Sequence, residues 1–113
     1  MSRYRLVVMA SPVRGREQEC ERWYQEVHLP EMVALPGILS AQRYQRAANL
    51  REGSETYPYL TIYEVEADDI QSVVQRITET AEAGGFDMSG AIDREGTYAV
   101  FYQACGPEVT AAE

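Results

Sequence analysis

Two amphipathic segments, each lying between strand-like runs, constrain the fold of this chain more than any other feature. The first predicts a helix over residues 16–28, because apolar residues recur along it at the helical spacing i, i+3, i+4, i+7. These residues are Cys20, Trp23, Tyr24 and Val27. The second predicts a helix that begins after Asp68, with Gln71 completing a capping box, and ends at Gly84-Gly85. Its apolar stripe comprises Ile70, Val73, Val74, Ile77 and Ala81.

Four runs rich in β-branched and aromatic residues surround these helices and predict strands. They cover residues 4–10, 38–47, 58–66 and 97–105. The order β-α-β-β-α-β is that of the ferredoxin-like fold, an α+β arrangement in which two helices cover one face of a four-stranded antiparallel sheet. Apolar residues occupy both parities of the strands, so the other face is also apolar. We therefore expect a homodimer that packs sheet against sheet.

Pro30 follows the first predicted helix directly, and proline cannot continue an α-helix unbroken. It fits the first turn of a short second helix, so we expect an elbow and then a helix over residues 30–35, which Pro36-Gly37 ends. Residues 49–57 are polar and predict a loop. Residues 1–107 are expected to form a single domain, and residues 108–113 a flexible acidic tail.

Charge and cysteine content exclude several functional classes. Acidic residues outnumber basic ones by 18 to 10, giving a net charge of −8, so nucleic acid and anionic membrane surfaces are unfavourable partners. No apolar run approaches the roughly 20 residues that a transmembrane helix needs, and the N-terminus lacks the pattern of a signal peptide. Cys20 and Cys105 show no metal-binding spacing and predict free, mostly buried thiols, which indicates a cytoplasmic protein.

His28 is the only histidine, and it follows Tyr24 by four residues, so both can share one helix face. Unpaired carbonyls at the predicted helix end favour a cation and would make the imidazole easier to protonate than usual. A histidine that titrates near pH ~6.5 can act as a general acid or base. The structural alternative is a C-cap that only fixes the elbow. Glu31 either orients the imidazole ring or is a solvated acid of the next helix.

Eight tyrosines form the second signal. Tyr59 and Tyr63 share one parity on their strand, as do Tyr98 and Tyr102 on theirs. Because buried phenols need hydrogen-bond partners, this predicts an apolar cavity with polar tips for a small aromatic ligand, or else a tyrosine-rich dimer interface. The candidate substrate contacts are Trp23, Met32, Tyr44, Tyr59, Tyr63, Tyr98 and Tyr102, of which Trp23 and Met32 equally fit a core. Arg43 and Arg46 could hold a carboxylate, with surface ion pairing as the simpler role.

Several segments resemble the EthD-like branch of the dimeric α+β barrel superfamily. They are WYQEVHLP at 23–30, ALPG at 34–37, SAQRY at 40–44 and PYLTIYE at 58–64. The W-Y-x-x-x-H-x-P pattern is the most specific of them, and the likeness extends from about Tyr4 to Pro107. It implies a dimeric barrel in which the histidine of the motif lines a pocket.

The resemblance leaves the reaction open, because the superfamily includes cofactor-free cyclases, isomerases and monooxygenases as well as haem enzymes. The haem-degrading members use a histidine on the second helix, and residues 68–83 contain none. With a single histidine in the chain, a metal site would need carboxylates at unpredictable spacing. We therefore expect no cofactor and no metal. The function expected is acid–base conversion of a small apolar or aromatic oxygenated substrate by a cyclase, isomerase or dehydratase, with His28 and Tyr24 as the catalytic pair. The alternatives are a non-catalytic carrier of a hydrophobic intermediate and a cofactor-free monooxygenase.

Overall fold

A computed structural model describes residues 1–52 and 57–112 of the chain. The strands are β1 (Ser2–Ala10), β2 (Ile38–Gln45), β3 (Tyr59–Ala67) and β4 (Tyr98–Tyr102). They form one antiparallel sheet in the order β2-β3-β1-β4. The predicted ferredoxin-like βαββαβ arrangement is confirmed. The loop predicted for residues 49–57 includes residues 53–56, and the tail predicted for 108–113 includes residue 113; both parts lie outside the described residues.

Side chains alternate between two faces of the sheet, as the pleat of a strand requires. Along β3 the odd-numbered residues from Thr61 to Ala67 are buried, whereas the even-numbered residues between them are half-buried. Tyr63 lies opposite Leu6 of β1, and both belong to the core beneath the helices. Their face is called the covered face below. The opposite face, called the outer face, has no helix packed on it in the described part of the chain.

The first helical region is one continuous run that the sequence analysis divided wrongly. It consists of α1 (Glu17–Trp23), a π-helical turn (Tyr24–His28) and α2 (Leu29–Val33). The Leu29 N–H donates to the Tyr24 carbonyl, five residues back, and the backbone stays helical at Leu29 with φ −61° and ψ −45°. The predicted elbow between residues 28 and 30 is therefore wrong. Pro30 would clash with the fourth carbonyl before it in an α-helix, and the wider turn directly precedes it.

The π turn also explains which residues of this run are buried. Leu29 follows Cys20 by nine residues, which is about two and a half α-helical turns, so an unbroken α-helix would place the two on opposite sides. Both are nonetheless buried, with relative exposures of 4% and 5%. The extra residue in the wider turn supplies the missing rotation. It directs Met32, another buried residue, to the same core.

The second amphipathic segment forms α3 (Ile70–Glu82), which begins one residue later than predicted. Asp69, not Asp68, is the N-cap, since its side chain accepts a hydrogen bond of 3.0 Å from the Gln71 N–H. Gly37 ends the predicted Pro36-Gly37 turn with φ +95°. A Cβ there would lie 3.3 Å from the Val73 side chain of α3, so glycine permits both the turn and the close approach.

The segment between α3 and β4 closes one side of the molecule. The Trp23 indole N–H donates to the Asp87 carbonyl, and the Asp87 N–H donates to Glu31 Oε2 at 2.9 Å. Further along, Ile92 forms a β-bridge with Pro12 beyond the end of β1. None of the helices in the described ranges is long and apolar enough to span a bilayer.

Candidate functional site

A groove opens between α1 and the end of the sheet where β1 finishes. Its wall includes Tyr24, Arg43, Tyr59, Thr61 and Ile92. The groove encloses about 330 Å³ with its open mouth counted, but only about 10 Å³ of it is wide enough to admit the centre of a water molecule. That is room for about one water. A larger ligand therefore requires side chains of the wall to move.

Arg43 crosses the groove from β2. Its guanidinium carbon lies 4.9 Å from the centre of the Tyr24 ring and 5.0 Å from that of Tyr59, which are cation–π distances. Nη1 donates to Glu21 Oε1 of α1 at 3.0 Å. The Arg43 side chain is only 12% exposed, whereas that of Glu21 is 54% exposed. The guanidinium thus joins the helix to the sheet and narrows the groove.

Tyr24 is buried on the covered side and forms part of the groove wall. Burial raises the pKa of its hydroxyl, while the Thr61 side chain and the Arg43 guanidinium act in the opposite direction. The phenol consequently keeps its proton at neutral pH and can donate a hydrogen bond. The positive charge of Arg43 lies where a negative charge on an oxygen near this phenol would be stabilised.

Tyr63 lies deeper, at 1% exposure, and its hydroxyl has no hydrogen-bond partner among the described residues. Burial raises the pKa of this hydroxyl, and Tyr24 is close enough to contribute to the shift. A buried hydroxyl without a partner costs about 1–3 kcal/mol.

His28 lies in the π turn and is enclosed by aromatic rings. It stacks on Trp23 at 4.8 Å with an interplanar angle of 20°, and it meets Tyr24 edge-on at 5.4 Å. Phe86 contacts it from the loop after α3. Burial lowers the pKa of the imidazole, and the nearby Glu31 carboxylate only partly opposes this. The prediction that His28 is easier to protonate than usual is wrong, because the residue lies within a continuous helical run and not at a helix end.

The imidazole also differs from the predicted C-cap. Nδ1 is buried and has no hydrogen-bond partner among the described residues. Glu31 is half-buried, with Oε2 bonded to the Asp87 N–H and Oε1 buried without a described partner. It is therefore neither a solvated acid nor hydrogen-bonded to the ring. The ring is neutral near pH 7, with one nitrogen able to accept a proton.

The predicted site residues divide between three places. Tyr24 and Tyr59 line the groove. Tyr63 and His28 lie behind it: Tyr63 interacts electrostatically with Tyr24, and the His28 ring meets the Tyr24 ring edge-on. Trp23 and Met32 are buried in the core. The structure does not bring the remaining candidates to the groove: Tyr44, Tyr98 and Tyr102 lie on the outer face. This follows from the register, in which Tyr44 opposes Leu60 and Tyr102 opposes Arg5.

The sequence analysis favoured surface pairing for one groove residue, Arg43, and did not identify another, Thr61. Arg43 had been assigned mainly to surface pairing, although its partner across the strands is Thr61, a buried polar residue. Thr61 itself stands at an inward parity in the apolar run PYLTIYEVE, between Tyr59 and Tyr63. A polar residue at an inward-facing position of a strand was the available signal.

The cysteines differ from each other. Cys20 is buried beside the groove, where burial raises the pKa of its thiol. Cys105 is exposed, so the prediction of mostly buried thiols holds only for Cys20; both are free. Within residues 1–52 and 57–112, no three histidine, cysteine, aspartate or glutamate side chains are placed to hold a metal ion together.

Comparison with known proteins shows the fold alone. No protein-family profile matches the chain, and no curated protein is significantly similar to it in sequence. A dimeric ferredoxin-like protein of unknown function from Jannaschia sp. CCS1 superposes with a TM-score of 0.64 at 15% identity, over 91% of this chain and 100% of that one. A provisionally named monooxygenase from Shewanella loihica PV-4 gives 0.61 at 20% identity, over 94% and 97%. A hypothetical protein of Arabidopsis thaliana gives 0.59 at 16% identity, over 96% and 94%. The chain is similar to all three in its ferredoxin-like architecture.

Proposed function

We propose that this chain is a cofactor-independent acid–base enzyme of the cyclase, isomerase or dehydratase type. Its substrate is a small apolar or aromatic oxygenated molecule that binds in the groove between α1 and the sheet. One observation carries the proposal: the half-buried imidazole of His28, whose buried Nδ1 has no partner among the described residues, contacts Tyr24, which itself lines the groove. Neighbouring groups with perturbed pKa values beside a groove are typical of catalytic sites.

The two residues have complementary roles. His28 lies behind Tyr24, so side chains of the wall move aside as the substrate enters. The imidazole then takes a proton from a carbon or hydroxyl next to a carbonyl, because its lowered pKa keeps it unprotonated at neutral pH. Tyr24 keeps its own proton and donates a hydrogen bond to the oxygen on which negative charge develops. Arg43, over the ring of Tyr24, stabilises the same charge. His28 then returns the proton to the product, so that the enzyme ends each turnover unchanged.

The rings around His28 support this chemistry by excluding water. Trp23, Tyr24 and Phe86 all contact the imidazole, and electrostatic interactions are stronger in a dry site than in solvent. The unpartnered hydroxyl of Tyr63 provides a further donor for a bound oxygen. An apolar wall with a few polar groups is the usual form of a site for a small organic molecule.

The proposal also includes a homodimer within the EthD-like branch of the dimeric α+β barrel superfamily. The outer face supports the dimer, because its centre is apolar and no helix covers it in the described chain. Val7 and Ile62 lie opposite each other there, as do Met9 and Leu60. A second copy packed on this face would remove these side chains from water. The neighbour from Jannaschia is itself dimeric.

Proton transfer can be tested without knowing the natural reaction. We would follow exchange of the hydrogens next to the carbonyl of 2-tetralone in deuterium oxide by proton NMR. The enzyme is expected to accelerate this exchange, and His28→Gln to reduce the acceleration by about 10²–10⁴-fold, the usual contribution of a general base. Tyr24→Phe is expected to reduce it as well. Tyr44→Phe, an exposed tyrosine on the outer face, is the matched control.

Four outcomes would contradict this function. Exchange that is no faster than in buffer, or equally fast in His28→Gln, removes the general base. Tight binding of 2-tetralone without exchange indicates the carrier alternative. Oxygen uptake during turnover, measured with an electrode, indicates the monooxygenase alternative.

A further inference from the structure

We infer that Arg43 is a ligand-binding cation and that the groove selects a planar ring bearing a carboxylate. The inference rests on the proposed function only for the location of the substrate. It begins with the surroundings of the guanidinium. Tyr24 and Tyr59 lie at 4.9 and 5.0 Å from its central carbon, so aromatic rings contact the group, and its N–H donors are arranged around its edge.

Most of the donor capacity of this group is unused within the chain. A guanidinium has five N–H donors, and Arg43 makes a single hydrogen bond among the described residues, from Nη1 to Glu21 Oε1. The side chain as a whole is only 12% exposed, although none of its nitrogens is both fully buried and without a partner among the described residues. A largely buried charge is stable when additional hydrogen bonds satisfy it. A ligand carboxylate can accept two of these N–H groups at once.

Glu21 shows that the guanidinium binds a carboxylate, and its exposure shows how a ligand can reach the guanidinium. Its carboxylate already binds the guanidinium, at a 3.0 Å distance, but its side chain is 54% exposed. This carboxylate can therefore return to water, and a ligand carboxylate then takes its place, so that the enclosed guanidinium is not left unpaired. Arg43 would exchange an internal carboxylate for an external one. A neutral ligand offers no carboxylate in exchange for that of Glu21, so it gains less from the guanidinium than an anionic one.

The rest of the wall fits the ring of such a ligand. Val8 and Ile92 contribute apolar surface, and Tyr59 contributes an aromatic ring. The 330 Å³ of the groove and its mouth exceeds the size of a one-ring acid, but the narrow interior requires Arg43 to shift. Arg43 becomes free to shift when its ion pair with Glu21 breaks.

The test compares benzoate with benzamide, which has the same shape and no charge, by calorimetric titration into the full chain. Benzoate is expected to bind about tenfold or more tightly than benzamide, as a charge-assisted hydrogen bond allows. Arg43→Gln is expected to abolish this preference. Glu21→Gln is expected to tighten benzoate binding about two- to fivefold, because the competing carboxylate is gone. Glu26→Gln is the control, since Glu26 forms an exposed pair with Arg22 on the same helical run.

Equal binding of benzoate and benzamide would overturn the inference, and so would a benzoate preference that survives in Arg43→Gln. No gain in Glu21→Gln would also overturn it, because a purely structural Arg43 does not compete for a ligand. Should Arg43→Gln fail to fold, Arg43→Lys keeps the charge, loses the two-pronged geometry and is expected to weaken the preference. His28→Gln is expected to retain the benzoate preference, so failure of the proposed proton transfer would leave this result intact.

Discussion

The two faces of the sheet carry equal numbers of tyrosines but give them different surroundings. Tyr4, Tyr59 and Tyr63 lie on the covered face, and Tyr44, Tyr98 and Tyr102 on the outer face. On the covered face, Tyr63 has a buried hydroxyl without a described partner. On the outer face, the hydroxyls of Tyr98 and Tyr102 contact each other, and that of Tyr44 donates to Gln42.

The difference shows that strand parity alone does not distinguish a ligand site from an interface. What distinguishes the faces is whether helices enclose the phenols in a low-dielectric environment, where an unpartnered hydroxyl is costly. Tyrosines on the outer face remain wet in the single chain or meet a second copy. On the covered face, Tyr59 lines the groove and Tyr63 lies behind it, close to Tyr24.

The largest expected effect comes from placing the same charge on each face. Val65→Asp puts a carboxylate at a position with 0% exposure and is expected to destabilise the fold by about 4 kcal/mol or more. Ile62→Asp, on the outer face of the same strand, is expected to leave a folded chain that no longer dimerises. Circular dichroism melting and sedimentation velocity measure the two outcomes. A dimeric Ile62→Asp protein would show that the outer face is not the interface.

A second test asks whether the buried environment of His28 makes the stability of the protein depend on pH. Burial lowers the pKa of His28 below 6.5, so the unfolded chain binds a proton that the folded chain does not bind between the two pKa values. The free energy of unfolding should therefore fall as the pH drops below about 6.5, by at most ~1.4 kcal/mol per pH unit. Urea unfolding at a series of pH values measures this slope.

His28→Gln is the matched variant, since it removes the titrating group while the carboxylates of the chain remain. Its stability should depend less on pH than that of the wild type in the window just below 6.5. An NMR titration that places the His28 pKa above 6.5 would contradict the lowered value. The acidic limb of the proton-transfer rate should likewise lie below pH 6.5, because the base stays neutral there.

The smallest effect compares one phenol from each face. Tyr63→Phe removes a buried hydroxyl that lacks a described partner, so stability is expected to stay level or rise by up to about 1 kcal/mol. Proton exchange in 2-tetralone is expected to slow, because a donor for the bound oxygen is lost. Tyr44→Phe should change neither property beyond about 0.5 kcal/mol. A marked loss of stability in Tyr63→Phe would mean that the hydroxyl has a partner in the folded protein.

The strands and their order were predictable because apolar runs and turn residues act locally. The sequence PYLTIYEVE at residues 58–66 gave β3 to within one residue at each end. The helical run was harder, since Pro30 is a local signal for a break whereas the burial of Leu29 depends on the whole core. The available clue to a wider turn was that Leu29 follows Tyr24 by five residues, whereas the apolar residues of an α-helix recur every three or four.

The site was only partly predictable, because tertiary contacts decide its electrostatics. Sequence spacing paired His28 with Tyr24, but the lowered pKa of the imidazole depends on burial by residues such as Phe86, 58 positions away. Arg43 shows the same limit: the pattern allows a carboxylate partner, yet its position between two phenols depends on the pairing of β2 with β3. Contacts between distant segments leave no periodic trace in a single sequence.

Because the turn at Tyr24–His28 is π-helical, the orientation of the residues after it depends on the number of residues in the turn. Deleting one residue from the turn could convert it to an ordinary α-helix and still bury the apolar residues before and after it, such as Cys20 and Leu29. The imidazole would then lose the one geometry that holds it among the rings. Single-residue deletions in this stretch thus offer a way to separate folding from the proposed chemistry.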